Sequence, residues 1–144
     1  MRESFGGAFI IKLLLVFIVF YVSFMAIALN YAKAFRVKNR MINILEQNQY
    51  HINNVSDDMA VINLIIEPEL KSFGYDYSKN EKVTNDCKAY DNSKKTPRGV
   101  CIVPLGSDDA RYYTVITYIA IDFPFFNISM VIPISGETKM IYTS

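Results

Sequence analysis

The chain has 144 residues, a formal net charge of +1, no Trp, one His and two Cys. Such a length favours one domain, and so small a net charge gives no long-range field that would attract nucleic acid or an acidic substrate. Two Cys and one His also fall short of the four ligands of a structural zinc site.

Residues 8–32 predict a transmembrane helix, preceded by a short polar leader at residues 1–7. Between Lys12 and Lys33 lie twenty residues without a charge, enough for a helix to cross a hydrocarbon layer of roughly 30 Å. Secretory signal peptides have a shorter apolar region of about 7–15 residues. A buried core helix is the alternative, but so small a domain offers little apolar surface to cover it on all sides. We therefore expect a retained membrane anchor.

Residues 33–54 continue the helical pattern as an amphipathic spine. Mostly apolar side chains recur at spacings of three and four, with polar ones elsewhere around the helix. This stripe consists of Val37, Met41, Ile44, Leu45, Asn48 and Ile52. No Gly or Pro interrupts residues 8–54. We expect one continuous helix whose second half packs against a part of the chain outside the membrane.

Residues 55–144 are predicted to form the head. Ser56, followed by two Asp, is a typical helix start, and an apolar helical stripe follows it. The stripe consists of Met59, Ile62, Ile66, Leu70 and Phe73. Pro68 should kink or divide this helix, and Gly74 should end it. The polar residues 75–98 predict a long surface loop.

The first predicted strand, residues 100–103, is short and is closed by Pro104 and Gly106. Residues 107–109 predict a turn. Residues 112–122 form the strongest strand pattern, rich in β-branched and aromatic side chains. The tyrosines of that strand either pack the sheet, as such residues commonly do, or form a binding face.

A wide apolar connection at residues 123–127 leads to a strand at residues 128–134, where Pro133 indicates a sheet edge or a bulge. Residues 135–137 predict a tight turn before a last strand at residues 138–142. The order of elements predicts an α+β fold, in which the transmembrane helix continues as a long amphipathic spine against a small antiparallel sheet.

No residue pattern typical of catalysis or cofactor binding occurs in the sequence. His51 has no Ser or Cys motif beside it. Asp57–Asp58 fits a helix start, and Asp108–Asp109 fits a turn. Gly6–Gly7 precedes no phosphate-binding pattern. We expect no enzyme activity, no cofactor and no metal site.

Cys87 and Cys101 are separated by thirteen residues in predominantly polar sequence. A disulfide between them would stabilise the fold by about 3 kcal/mol through its constraint on the unfolded chain, and it would need an oxidising compartment. The alternative is two free thiols in a reduced cytoplasmic domain. We favour the disulfide.

The basic residues around the anchor favour a cytoplasmic head, the opposite of the orientation that a disulfide implies. Four follow the anchor and two precede it, namely Lys33, Arg36, Lys38 and Arg40 against Arg2 and Lys12. The positive-inside rule would place the C-terminal head in the cytoplasm, whereas a disulfide places it outside. We expect an extracellular head, because we give the arrangement of anchor, spine and sheet more weight than the number of basic residues on each side of the anchor.

A transmembrane helix that continues outward as a spine under a small sheet resembles the type IV pilins and pseudopilins, above all the minor pilins of the tight-adherence (Tad) systems. Arg2 matches the positive charge of the family's short leader, and Gly7 ends that leader before the apolar run. The resemblance implies cleavage between Gly7 and Ala8 by a prepilin peptidase. The family carries Glu at the fifth residue of the mature chain, where this sequence has Lys12, the opposite charge.

Lys12 has two interpretations. It either extends toward the cytoplasmic headgroups or forms an intersubunit ion pair that contributes to assembly. No acid lies between Glu3 and Glu46, so a cleaved chain would need a carboxylate from another protein.

The resemblance implies a minor pilin or pseudopilin, single-pass in the cell membrane, in a cell-surface filament or secretion apparatus that serves adhesion or secretion. Its expected partners are membrane lipid, other pilin or pseudopilin subunits and a prepilin peptidase, and not nucleic acid. One alternative is a signal-anchored extracellular binding module that does not polymerise. The other is a membrane-tethered cytoplasmic adaptor.

Overall fold

The computed structural model of the protein describes residues 2–48, 58–90, 93–107, 110–123 and 128–142. Its helices are α1 Arg2–Gln47, α2 Asp58–Ser72 and α3 Glu81–Lys88. Its strands are β1 Lys94–Lys95, β2 Cys101–Ser107, β3 Ala110–Phe123, β4 Ile128–Glu137 and β5 Ile141–Tyr142. The strands form one antiparallel sheet in the order β1-β2-β3-β4, with β5 also beside β3. The predicted α+β fold is confirmed.

Helix α1 is a single helix of 46 residues, about 70 Å long. Its second half carries the predicted stripe, of which Val37, Met41, Ile44 and Leu45 are each at most 5% exposed. Asn48 is partly buried, and Ala34, which lies outside the predicted stripe, is also buried. The helix already begins at Arg2, so it includes the predicted leader. Ile52 and the predicted helix end at Asn54 lie outside the described residues.

The last residue of α2 is Ser72, and Gly74 terminates the helix, as the sequence predicts. Gly74 has a φ of +59°, and its N–H donates to the carbonyl of Lys71 while the N–H of Tyr75 donates to the carbonyl of Leu70. This pattern is a Schellman motif, which satisfies the last carbonyls of the helix. Pro68 lies within α2 and does not divide it. Pro68 lacks the N–H that would donate to the carbonyl of Leu64. Both residues are exposed, so water can reach that carbonyl. The predicted cap Ser56 lies outside the described residues.

The sheet has a hydrophobic core on each face. The first core joins α1 and α2 to Ile102, Tyr113 and Val115 of the sheet. The second core joins α3 to residues on the opposite face, including Val103 and Ile116. The head is therefore a sheet with two helices on one side and a short helix on the other.

The predicted surface loop at residues 75–98 is wrong in part, because it contains α3 and β1. Asn80 caps α3 by accepting hydrogen bonds from the N–H groups of Lys82 and Val83. Val83 and Cys87 are its two buried residues, one helical turn apart. An apolar stripe of two residues is too short for periodicity to distinguish a helix from a loop.

The predicted tight turn at residues 135–137 is also wrong, because β4 continues through it and pairs Gly136 with Val115. Three residues separate β4 from β5, opposite two residues of β3. This extra residue is a β-bulge. Thr138 spans it, since its N–H donates to the Tyr113 carbonyl and its hydroxyl accepts from the Tyr113 N–H. The last strand therefore continues beside β3.

Strand β2 is longer than predicted, because Pro104 and Gly106 lie within it rather than ending it. Beyond its short pairing with β1, only β3 pairs with β2 among the described residues. Pro104 is therefore tolerated at a free strand edge. Pro133 lies in the edge strand β4, as predicted.

Candidate functional site

The first half of α1 is an apolar surface that the head does not cover. It is long and apolar enough to span a membrane, and no residue of its most apolar stretch is buried by the rest of the described chain. Large side chains point outward around the whole helix, including Phe9, Phe17, Tyr21 and Phe24, each more than half exposed. A single copy of this chain therefore does not bury the helix, and the alternative interpretation of a buried core helix is wrong.

The predicted processing site lies in this exposed half. Gly7 and Ala8 are helical and far in sequence from the first buried position of α1, Ala34. A Cβ added at Gly7 would meet no atom within 4 Å. Neither residue contributes to the packing of the head.

Lys12 is exposed on α1 among apolar neighbours. Among the described side chains it forms no ion pair with a carboxylate. Lys12 lies one helical turn after Ala8 on the same helix, so it is close to the predicted processing bond, and it has no ion-pair partner among the described carboxylates of its own chain.

Basic residues after the anchor contact the head. Lys33 Nζ donates to the Gly74 carbonyl at 2.9 Å, at the negative end of the α2 dipole. Arg40 forms a two-pronged ion pair with Glu69, at 3.1 and 3.3 Å. The hydrogen bond and charge of Glu69 raise the pKa of the Arg40 guanidinium above its usual value. These two basic side chains help to fix α2 against α1.

Lys38 has a different environment on the same helix. Its Nζ lies 4.3 Å from the centroid of the Phe35 ring, a cation–π contact. Its side chain also passes close to Gly136 of β4. At least three of the four basic residues that follow the anchor therefore have partners within the protein.

Cys87 and Cys101 form a disulfide that joins α3 to β2. Their Cα atoms are 5.6 Å apart, and both residues are buried in the second core. Ser93 donates a hydrogen bond to the Cys87 carbonyl, so the chain after α3 is also attached there. The predicted pairing is confirmed.

Two tyrosines that the sequence analysis did not single out complete the sheet. Tyr75 and Tyr77 accept hydrogen bonds from the N–H groups of Tyr118 and Ala120, at 2.8 and 3.2 Å. These N–H groups lie on β3 beyond the end of β2. The spacing of two residues between the tyrosines, directly after a helix-ending glycine, is the signal that could have indicated this role.

The tyrosines of β3 serve mainly as packing. Tyr113 and Tyr118 are buried in the first and second cores, respectively, whereas Tyr112 is partly exposed. Across the described residues, no group of three His, Cys, Asp or Glu side chains could hold a metal ion. His51 lies outside them.

The geometry thus gives two linked features, an exposed apolar half-helix and a head that packs on the second half of the same helix. The chain matches no protein-family model, no curated protein and no solved structure.

Proposed function

We propose that this protein is a single-pass membrane protein with an extracellular head, and that it acts as a minor pilin or pseudopilin. The supporting observation is the continuity of α1, which supplies both the exposed apolar surface and the spine of the head. So large an apolar surface needs lipid or other apolar helices around it. In this proposal lipid covers α1 first, and neighbouring subunits' helices replace lipid on assembly into a filament or secretion apparatus.

The disulfide and the basic residues support the extracellular orientation. A buried disulfide is typical of proteins that fold in an oxidising compartment. Lys33 and Arg40 bind groups of the head, so these charges have a structural role that does not require the cytoplasmic leaflet. The alternative is a membrane-tethered cytoplasmic adaptor, and protection of the head from added protease would distinguish it from an extracellular head.

Photo-crosslinking tests assembly directly. Benzoylphenylalanine at Phe17, which is 67% exposed in the anchor, should give covalent products with other pilin-like subunits in cells. The same group at Tyr142, at the far end of the head and 74% exposed, is the matched control and should give fewer such products. Products with lipid alone from Phe17 would favour the non-polymerising binding module.

Processing and topology have separate tests. N-terminal sequencing of membrane-extracted protein should begin at Ala8 if a prepilin peptidase cuts after Gly7, whereas an intact Met1 terminus would argue against that peptidase. Protease added to spheroplasts should remove the head. Protection of the head until the membrane is permeabilised would overturn the extracellular placement.

A further inference from the structure

Strands β3 and β4 extend past the rest of the sheet as a two-stranded ribbon, residues 118–123 and 128–133. The last pair between β2 and β3 joins Cys101 to Ile116, whereas β3 and β4 remain paired as far as Phe123 and Ile128. A two-stranded hairpin is marginally stable in water by itself. The ribbon therefore depends on the surfaces that cover it.

Two hydrogen bonds place the ribbon along α1. The Thr117 hydroxyl donates to the Ala34 carbonyl at 3.3 Å, and the side-chain amide of Asn30 donates to the Ala120 carbonyl at 3.3 Å. Higher numbers on β3 thus lie beside lower numbers on α1. The ribbon runs from the head toward the N-terminal, apolar half of the helix.

The length of the ribbon takes it beside the predicted membrane span. Between these two contacts, three residues of β3 correspond to four residues of α1, so Phe123, three residues past Ala120, lies near the level of Ala26. Ser23 and Ile27, on either side of that level, are both partly buried. Both belong to the uncharged stretch between Lys12 and Lys33.

The ribbon presents an apolar face beside α1. Ile119 pairs with Ile132, and Ile121 pairs with Met130, so all four side chains share one face. Ile119 is 3% exposed, whereas Ile132 and Met130 are 38% and 48% exposed. The sequence from 112 to 136 contains a single charged residue, Asp122.

Several backbone groups at the edges of the ribbon have side-chain partners, which lowers the cost of removing these groups from water. The N–H groups of Tyr118 and Ala120 on its β3 edge donate to Tyr75 and Tyr77. On its β4 side, the Val131 carbonyl accepts from Lys82 Nζ at 3.0 Å.

We propose that the ribbon inserts Met130 and Ile132 into the outer leaflet beside α1, so that the head contacts the bilayer at a second place. Lipid is the occupant because this face is continuous with the exposed apolar surface of α1 and lies at the level of its span. The second contact would limit tilting of the head about α1. The inference depends on α1 crossing the membrane and on the head being extracellular, but not on filament assembly.

Tryptophan fluorescence tests the insertion, because the natural chain contains no Trp. Met130→Trp and Ile132→Trp are the test variants, Phe24→Trp reports on the anchor, and Tyr142→Trp reports on the far end of the head. Each full-length protein is placed in phosphatidylcholine vesicles at high dilution, with or without brominated acyl chains. Met130→Trp and Ile132→Trp should show blue-shifted emission and severalfold stronger quenching by bromolipid than Tyr142→Trp. An intact disulfide and an unchanged thermal melt show that each variant is folded.

The outcomes separate this inference from the anchor. Strong quenching of Phe24→Trp, with Met130→Trp and Ile132→Trp quenched no more than Tyr142→Trp, would overturn the ribbon contact alone. Unquenched Phe24→Trp would overturn both the anchor and the ribbon contact. A blue shift that bromolipid does not quench, and that fades as protein is diluted in lipid, would identify a second copy as the occupant and overturn the proposal.

Discussion

The hydroxyl of Tyr75 accepts a hydrogen bond of 2.8 Å from the backbone N–H of Tyr118. Tyr75 directly follows the glycine that ends α2, and Tyr118 lies where β3 extends past β2. The neighbouring Tyr77 makes the equivalent bond to Ala120, and the two rings are 4.8 Å apart between centroids. A pair of side chains thus replaces a strand at this edge of the sheet.

Replacing Tyr75 by Phe should destabilise the head. The substitution leaves the buried Tyr118 N–H without this acceptor, which costs about 1–3 kcal/mol. Urea unfolding of the full chain in detergent micelles, followed by circular dichroism, measures the loss. An unchanged midpoint would mean that water or another group satisfies this N–H.

Tyr118→Phe is the matched control. The Tyr118 hydroxyl is buried and has no hydrogen-bond partner among the described residues. Removing it eliminates an unsatisfied polar atom, so stability should stay the same or increase slightly. Equal losses from both substitutions would contradict the roles assigned to the two hydroxyls.

Stability should fall in alkaline solution through these tyrosines. Burial raises the pKa of Tyr118 to about 12 from 10.0, and burial also raises the pKa of Tyr75. The folded state then binds more protons than the unfolded state above about pH 10, so unfolding becomes more favourable as pH rises. The thermal midpoint should be level up to about pH 9 and fall between about pH 10 and 12. Tyr118→Phe should reduce the slope; an identical slope would assign the effect to other groups.

Removal of the disulfide should destabilise the head. Cys87 and Cys101 are 14 positions apart, and closing a loop of about 15 residues is worth about 3 kcal/mol. The double substitution to Ser should lower the free energy of unfolding by about that amount. Because both cysteines are buried, alkylation must be done in denaturant, where labelling should require a reductant. Full labelling of unreduced, denatured protein would refute the bond.

Two glycines should differ sharply in their tolerance of Ala. Gly106 has a φ of +114°, and a Cβ there would lie 2.2 Å from the Ala110 carbonyl oxygen. A Cβ at Gly136 would instead lie 2.9 Å from Lys38 Cδ and from Ile42 Cδ1, atoms of flexible side chains that can move. Gly106→Ala should cost more than about 2 kcal/mol, and Gly136→Ala clearly less, by urea unfolding. The reverse order would show that the β2–β3 hairpin adapts more easily than the contact with α1.

Sequence pattern predicted the elements whose signals are local. The stripe of α1, the stop at Gly74 and the central strand β3 each depend on residues close together in the chain. Helix α3 was missed because only Val83 and Cys87 are buried in it. Gly136 resembles a turn residue, yet it lies in a strand that passes close to Lys38. That contact joins residues far apart in sequence, so no local pattern contains it.

The same limit applies to the candidate site. The apolar anchor could be predicted from composition, because a span needs only length and the absence of charge. The position of the ribbon could not, because it depends on tertiary contacts such as Asn30 with Ala120. A count of basic residues around the anchor likewise does not reveal that Lys33 and Arg40 have partners in the head.

Reversing the charge of Lys12 should weaken assembly and leave membrane insertion intact. If the chain is cut after Gly7, Glu3 is lost and no acid remains before Glu46, so an intramembrane partner for Lys12 would have to be a carboxylate of another subunit. Such a pair is strong where water is excluded, and like charges stacked there are costly. Lys12→Glu should therefore reduce co-purification with partner subunits, while membrane flotation of the protein is unchanged.

Arg36→Glu, an exposed charge reversal at the other end of the span, is the control and should retain those partners. Unchanged co-purification of Lys12→Glu would show that Lys12 only extends toward the headgroups.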